Sequence, residues 1–67
     1  MAKQQERERA MARIRTTISN IDDQIERERD FIEFGASRDY EYQMSYARLD
    51  ALRAERSKLQ EIMGDLA

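Results

Sequence analysis

Ile14-Arg15-Thr16-Thr17-Ile18-Ser19-Asn20-Ile21-Asp22-Asp23-Gln24-Ile25 sets its isoleucines four, three and four residues apart. At about 3.6 residues per turn, that spacing brings every isoleucine to one side of a helix and every polar residue to the others. Reading outward, Met11 extends the stripe backward and Ile32 extends it forward. Beyond Phe34-Gly35-Ala36-Ser37 a second stripe follows, made of Tyr42, Leu49, Leu52, Leu59, Met63 and Leu66. Two narrow apolar stripes with coiled-coil spacing, divided by a glycine, predict an all-α fold. The predicted architecture is an antiparallel two-helix hairpin with a helix at about 4–34, a turn at 35–37 and a helix at about 38–63. Residues 1–67 then form a single hairpin domain, whose helices reach roughly 40 to 45 Å at 1.5 Å per residue.

Local chemistry supplies the predicted ends. Gly35 suits the left-handed position that closes a helix, since it has no Cβ to clash. Ser37 reads as the N-cap of the second helix, with Asp39 and Glu41 set against the positive end of its dipole. Gly64 reads as that helix's stop. The turn pairs Ile25 with Leu49, Ile21 with Leu52, Ile14 with Leu59 and Met11 with Met63. Gln4 to Arg9 hold no apolar anchor, so residues 1–8 are expected to fray or to stay free for a partner.

One stretch admits a second reading. From Asp39 to Tyr46 the chain alternates, with Tyr40, Tyr42, Met44 and Tyr46 between Asp39, Glu41, Gln43 and Ser45. Period two with tyrosines is a strand signature, and it would make 39–44 a short β segment with the helix starting at Ser45. The same tyrosines also fit a helix, because Tyr42, Tyr46 and Leu49 fall on one side. A lone strand has no partner in this chain, so continuous helix is the preferred expectation.

Composition narrows the function. Charged residues make up 39% of the 67 and aromatics 7%, so the core must be Ile, Leu and Met. There is no Cys or His, which removes disulfides, thiolate metal sites and the commonest general base. No glycine-rich phosphate loop, nucleophile–base pair or zinc spacing occurs. The sequence therefore predicts a non-enzymatic protein with no catalytic residue, no cofactor and no metal site. Asp22, Asp23 and Glu26 crowd one region, but a calcium or magnesium site needs oxygens converging from several directions. They are expected to form a solvated face. No apolar run approaches the roughly 20 residues of a membrane span, and the start Met1-Ala2-Lys3-Gln4-Gln5-Glu6-Arg7 is too polar for a secretory signal. A cytoplasmic location, or a virion one, is expected.

Two helices bury one stripe each, and without a disulfide or metal such a pair is expected to need company. Ala10, Phe31, Phe34, Tyr40, Tyr46 and Ile62 lie just off the stripes and would widen them to a bundle's apolar face. The expected partners are a second copy, in a homodimer or higher oligomer, or a larger protein. Glu28 and Arg56 interrupt the stripes. They can be snorkelling side chains in solvent, or polar residues that fix register and partner choice.

Charge is unevenly laid out. Residues 1–20 hold five basic and two acidic side chains, whereas 21–41 hold three basic and eight acidic ones. The first helix is thus basic where its dipole is positive, so local helix stability does not explain the layout. It can reflect a solvated face laced by pairs such as Asp23–Arg27 and Asp50–Arg53. Alternatively, the basic end of one molecule meets the acidic turn end of another. Arg9 and Arg13, followed by Thr16, Thr17 and Asn20, form a face that could contact phosphates. Net charge −2 and the acidic middle weigh against nucleic acid. The candidate partner-contacting residues are Phe34, Tyr40, Tyr42 and Tyr46 near the turn, and Arg9 and Arg13 on the basic stretch.

The segment Arg38-Asp39-Tyr40-Glu41-Tyr42-Gln43-Met44-Ser45-Tyr46-Ala47-Arg48-Leu49-Asp50-Ala51-Leu52-Arg53-Ala54-Glu55-Arg56 resembles the small head–tail joining proteins of tailed phages, the lambda W type, over roughly residues 34–60. That family's short chains run helix, β-hairpin and helix, and an alternating aromatic or β-branched stretch leads through a Ser or Thr into a Leu-x-x-Leu-Arg-Ala-type helix. The resemblance implies a structural virion component that forms a ring and bridges portal and tail, with Tyr40, Tyr42, Tyr46 and Leu49 in the packed or contacting region. A weaker resemblance, carried by Lys3-Gln4 and Met11-Ala12-Arg13, is to the Rop-type plasmid RNA-binding hairpins. It implies their dimeric bundle architecture without their RNA-contacting face, because Ile14 stands where that family places an aromatic. Two alternatives remain beside the structural role: a small regulatory or inhibitory hairpin that binds a host protein, and a dimeric RNA- or DNA-binding bundle.

Overall fold

The isoleucine and leucine stripes do close on each other. A computed structural model describes residues 2–67, with side chains from Lys3 onward. Helix α1 runs Ala2–Asp30, a single π-helical turn covers Phe31–Gly35, and helix α2 runs Asp39–Leu66. Met1, within the stretch expected to fray, lies outside the described residues, and α1 is already helical from Ala2.

The heptad explains the burial. With stripe residues as the a and d positions, α1 presents Met11, Ile14, Ile18, Ile21, Ile25 and Glu28, the π-turn adds Ile32, and α2 presents Tyr42, Ser45, Leu49, Leu52, Arg56, Leu59, Met63 and Leu66. Among the described side chains, every buried or half-buried one belongs to this set, apart from Ala10, Ala36 and Glu41. Ile21 and Leu49 are the most deeply buried apolar residues, and Ser45 has no exposed surface at all. Ser45 is the seam position hidden by its polarity.

Both polar interruptions reach across the hairpin rather than out into solvent. Glu28 pairs with Arg48 at 3.4 Å, with its own side chain only 15% exposed. Arg56 Nε donates to Asp22 Oδ1 at 2.6 Å, and its Nη2 donates to Oδ2 at 3.4 Å. A two-pronged guanidinium–carboxylate contact has directional as well as electrostatic content. Stepping back six residues on α1 and forward eight on α2 joins one pair to the other, which is the antiparallel register. Met11 and Met63 line one groove at the free end, as that register requires. Asp23–Arg27 and Asp50–Arg53 are not within ion-pair distance, so the expected lacing along each helix is absent and the described ion pairs run between helices.

The helix ends depart from expectation in three places, at Gly35, Ser37 and Gly64, while 39–46 follows the preferred helical reading and not its β alternative. Gly35 has no positive φ. The chain closes instead with the Ala36 N–H donating to the Phe31 carbonyl at 2.7 Å, an i to i+5 turn. What Gly35 supplies is room, since a Cβ there would lie 3.0 Å from Cδ1 of Phe31. Ser37 is not the N-cap of α2. Arg38 is, with extended backbone and no side-chain cap, and its carbonyl accepts from Glu41 and Tyr42 N–H. Asp39 and Glu41 do occupy the first turn. The alternating stretch 39–46 is helical throughout, so neither a β segment at 39–44 nor a helix start at Ser45 forms. A strand leaves its backbone groups without a ladder here, whereas a helix satisfies them internally. Finally, α2 passes through Gly64 to Leu66, where the heptad still offers an apolar residue to the seam.

The result is a ribbon of 54 × 16 × 11 Å with a radius of gyration of 15.7 Å. A compact 67-residue domain would have a radius near 11 Å. Its accessible surface is 5510 Å², against about 4,450 Å² for a typical monomer of this mass.

Candidate functional site

Most of the large apolar side chains left in the open lie at the turn end. Phe31 and Phe34 project from the π-turn, Phe34 being 80% exposed, while Tyr40, Met44 and Tyr46 are each more than half exposed on the first turns of α2. Their positions follow from the elements. Tyr40 and Met44 are four residues apart and stack along the outer side of α2, away from the seam. Tyr46 flanks the seam and, with Ile32 and Leu49, lines a groove of about 240 Å³ edged by Arg29, Glu33 and Arg53. Aromatic side chains offer large contact area at low conformational entropy, and Met adds a flexible apolar one; both are enriched where proteins meet.

Tyr42 differs from its neighbours. Its ring enters the seam, and its hydroxyl donates to the Ala36 carbonyl at 2.8 Å, clasping the turn across six residues. It is a structural tyrosine that helps to set the shape of the turn-end tip. Phe34, Tyr40 and Tyr46 all lie exposed at the turn end, Tyr46 beside the seam and Tyr40 on the outer side of α2. Arg9 and Arg13 are exposed near the opposite end of α1, roughly 35 Å away at 1.5 Å per residue. The six residues therefore belong to two separate surfaces.

The basic surface is less suited to phosphate than its composition suggests. Thr16 Oγ1 donates to the Ala12 carbonyl at 3.1 Å and Thr17 Oγ1 donates to the Arg13 carbonyl at 2.9 Å. Hydroxyls that donate inward can only accept from outside, and a phosphate oxygen needs donors. Of the crowded carboxylates, Asp22 is engaged by Arg56. No cluster of three or more potential metal ligands occurs among the described residues, and no described helix is long and apolar enough to cross a membrane.

Two features escaped the reading of the sequence. Met44 joins the tip through its i, i+4 relation to Tyr40, a signal that the period-two alternation obscured. A groove of about 510 Å³ at the free end, lined by Met11, Arg15, Ile18, Gln60, Met63, Gly64 and Ala67, depends on Gly64 lying inside a helix. Nothing stands within 4 Å of where a Cβ on Gly64 would be. Reading Gly64 as a stop concealed it, although Leu66 continues the heptad beyond. Compared with protein families, with curated proteins and with solved structures, the chain has no significant match.

Proposed function

We propose that this chain is a non-enzymatic interaction protein, a rigid helical hairpin that docks its aromatic turn end on a larger protein partner. The supporting observation is the concentration of exposed Phe34, Tyr40, Met44 and Tyr46 at one end of a molecule whose other large apolar residues mostly serve its own seam. An exposed apolar patch of that kind marks a contact site in a protein otherwise so rich in charge. A connector in a virion, as the resemblance of residues 34–60 to head–tail joining proteins implies, is the most concrete form of this reading. A hairpin that inhibits or regulates a host protein would use the same surface.

The test is purification of the tagged chain from its native source, beside a Phe34→Ser/Tyr40→Ser variant. Both residues are largely exposed, so the variant should keep its helical circular dichroism. The proposal expects a stoichiometric protein partner that the variant loses. Equal recovery of that partner by both chains would refute the role of the tip. A portal or tail component would identify the connector form, whereas a host enzyme or transcription factor would identify the regulatory one. Nucleic acid retained at low salt, with no protein, would replace both readings.

A further inference from the structure

A second surface runs along one flank of the ribbon and shares Tyr46 with the tip. Both grooves lie on the same flank of the ribbon: Arg15, Gln60 and Ala67 edge the one at the free end, and Arg29, Tyr46 and Arg53 edge the one at the turn end. These are the e positions of the two helices. In α1 the e positions read Glu8, Arg15, Asp22, Arg29, so the signs alternate and reverse end to end. A sequence of that kind is complementary to itself when laid antiparallel.

We propose that the occupant of this flank is a second copy of the chain, packed antiparallel about a two-fold axis that passes beside Ile18 and Ser19, giving a four-helix bundle. In this register Arg15 faces Asp22 of the second copy, a carboxylate that Arg56 of its own hairpin also holds, while Glu8 faces its Arg29, and symmetry makes each pair twice. The same register superposes the helical stretch 2–35 on its counterpart over its whole length. Within one hairpin Arg15 shares a groove with Gln60, and Arg29 shares one with Tyr46. The axis that joins Glu8 to Arg29 therefore carries Tyr46 of each copy to Ala67 and Gly64 of the other. There the free-end groove lies open, and its 510 Å³ is more than three times the roughly 150 Å³ that accommodates a benzene ring.

Two further observations agree. The ribbon exposes about 1,000 Å² more surface than a compact monomer of its mass, close to the roughly 800 Å² that each partner buries in a standard interface. The antiparallel arrangement also lays the basic half of each α1 against the acidic half of the other. The parallel two-fold alternative sets two turn ends side by side, each with eight acidic residues against three basic ones in 21–41. The dimer does not depend on the docking role of the tip. Tyr46 is then taken up by the dimer, whereas Phe34, Tyr40 and Met44 lie off this flank and stay outward, so the tip keeps three of its exposed residues for docking. The bundle then presents two tips at opposite ends, about 50 Å apart at 1.5 Å per residue.

Sedimentation equilibrium of the full chain tests the arrangement with four variants. Gly64→Leu adds a side chain where a Cβ meets nothing, so helix content should hold or rise while dimer affinity falls at least tenfold. Glu8→Arg and Arg29→Glu should each weaken the dimer, and the combined exchange should restore it. The chain has no cysteine, so Ser19→Cys, beside the two-fold axis, should give a disulfide-linked dimer on mild oxidation. A monomeric wild type, a larger closed ring, failure of the exchange to restore affinity, or no cross-link at Ser19→Cys would overturn the proposal. The circular dichroism of each variant separates lost association from lost folding.

Discussion

Ser45 occupies a seam position that the heptad reserves for an apolar side chain, and its hydroxyl has no hydrogen-bond partner among the described residues. A buried hydroxyl without a partner costs about 1–3 kcal/mol relative to a satisfied one. Its small volume explains its presence. Ser45 lies one turn from Arg48, whose partner Glu28 enters the seam from the facing helix, and a leucine at 45 would compete with that carboxylate for space. Size, then, is what position 45 requires, and the hydroxyl is dispensable. Ser45→Ala should raise unfolding free energy by about 1 kcal/mol in urea denaturation, with unchanged slope. Ser45→Leu should lower it by about 1–3 kcal/mol through overpacking. A destabilised Ser45→Ala would mean that the hydroxyl is satisfied in solution, most directly by the carbonyl one turn earlier.

At the scale of the elements, the turn is held by contacts that reach past nearest neighbours. The Tyr42 hydroxyl on the Ala36 carbonyl and the Ala36 N–H on the Phe31 carbonyl together fix the crossing between helices. Tyr42→Phe should cost about 1 kcal/mol, the net value of one such bond, with the ring still in the seam. Ser37→Ala should stay within about 0.5 kcal/mol, because Ser37 caps nothing; thermal unfolding followed at 222 nm checks both. This contrast shows where the sequence was legible. The helices were, since periodicity is repeated many times over and each isoleucine or leucine reinforces the last. The turn was not, since Gly35 and Ser37 satisfy local rules that a tyrosine six residues on overrides. The exposed tip was half legible. Phe34, Tyr40 and Tyr46 stood off the stripes and Tyr42 on one, yet the local alternation grouped Tyr42 with its exposed neighbours as a candidate contact. Its role follows from heptad position, which puts it in line with Leu49 and Met63.

For the whole molecule, the question is what makes a regular seam choose one pairing. Ile and Leu recur so evenly that sliding one helix by a heptad would still set apolar layers against apolar layers. Chain connectivity opposes sliding within one hairpin, but not exchange of helices between molecules. The layers with Glu28 and Arg56 break that degeneracy, because only one register gives each charge its partner across the hairpin. Such pairs add little stability. Partly exposed ion pairs contribute about 0–1 kcal/mol, and replacing half-buried ones with well-packed apolar residues is often stabilising. Glu28→Leu/Arg56→Leu fills two seam positions with apolar side chains and leaves only the partly exposed Arg48 and Asp22 without partners, so it should raise unfolding free energy by about 1–3 kcal/mol. It should also cost the chain its single state. Sedimentation velocity should resolve one species for the natural chain and several for the double variant, with broadened amide resonances in the variant. A more stable variant that remains a single species with sharp resonances would show that the turn and the outer charges specify the pairing by themselves. A less stable one would show that the two ion pairs hold the hairpin together rather than select its register.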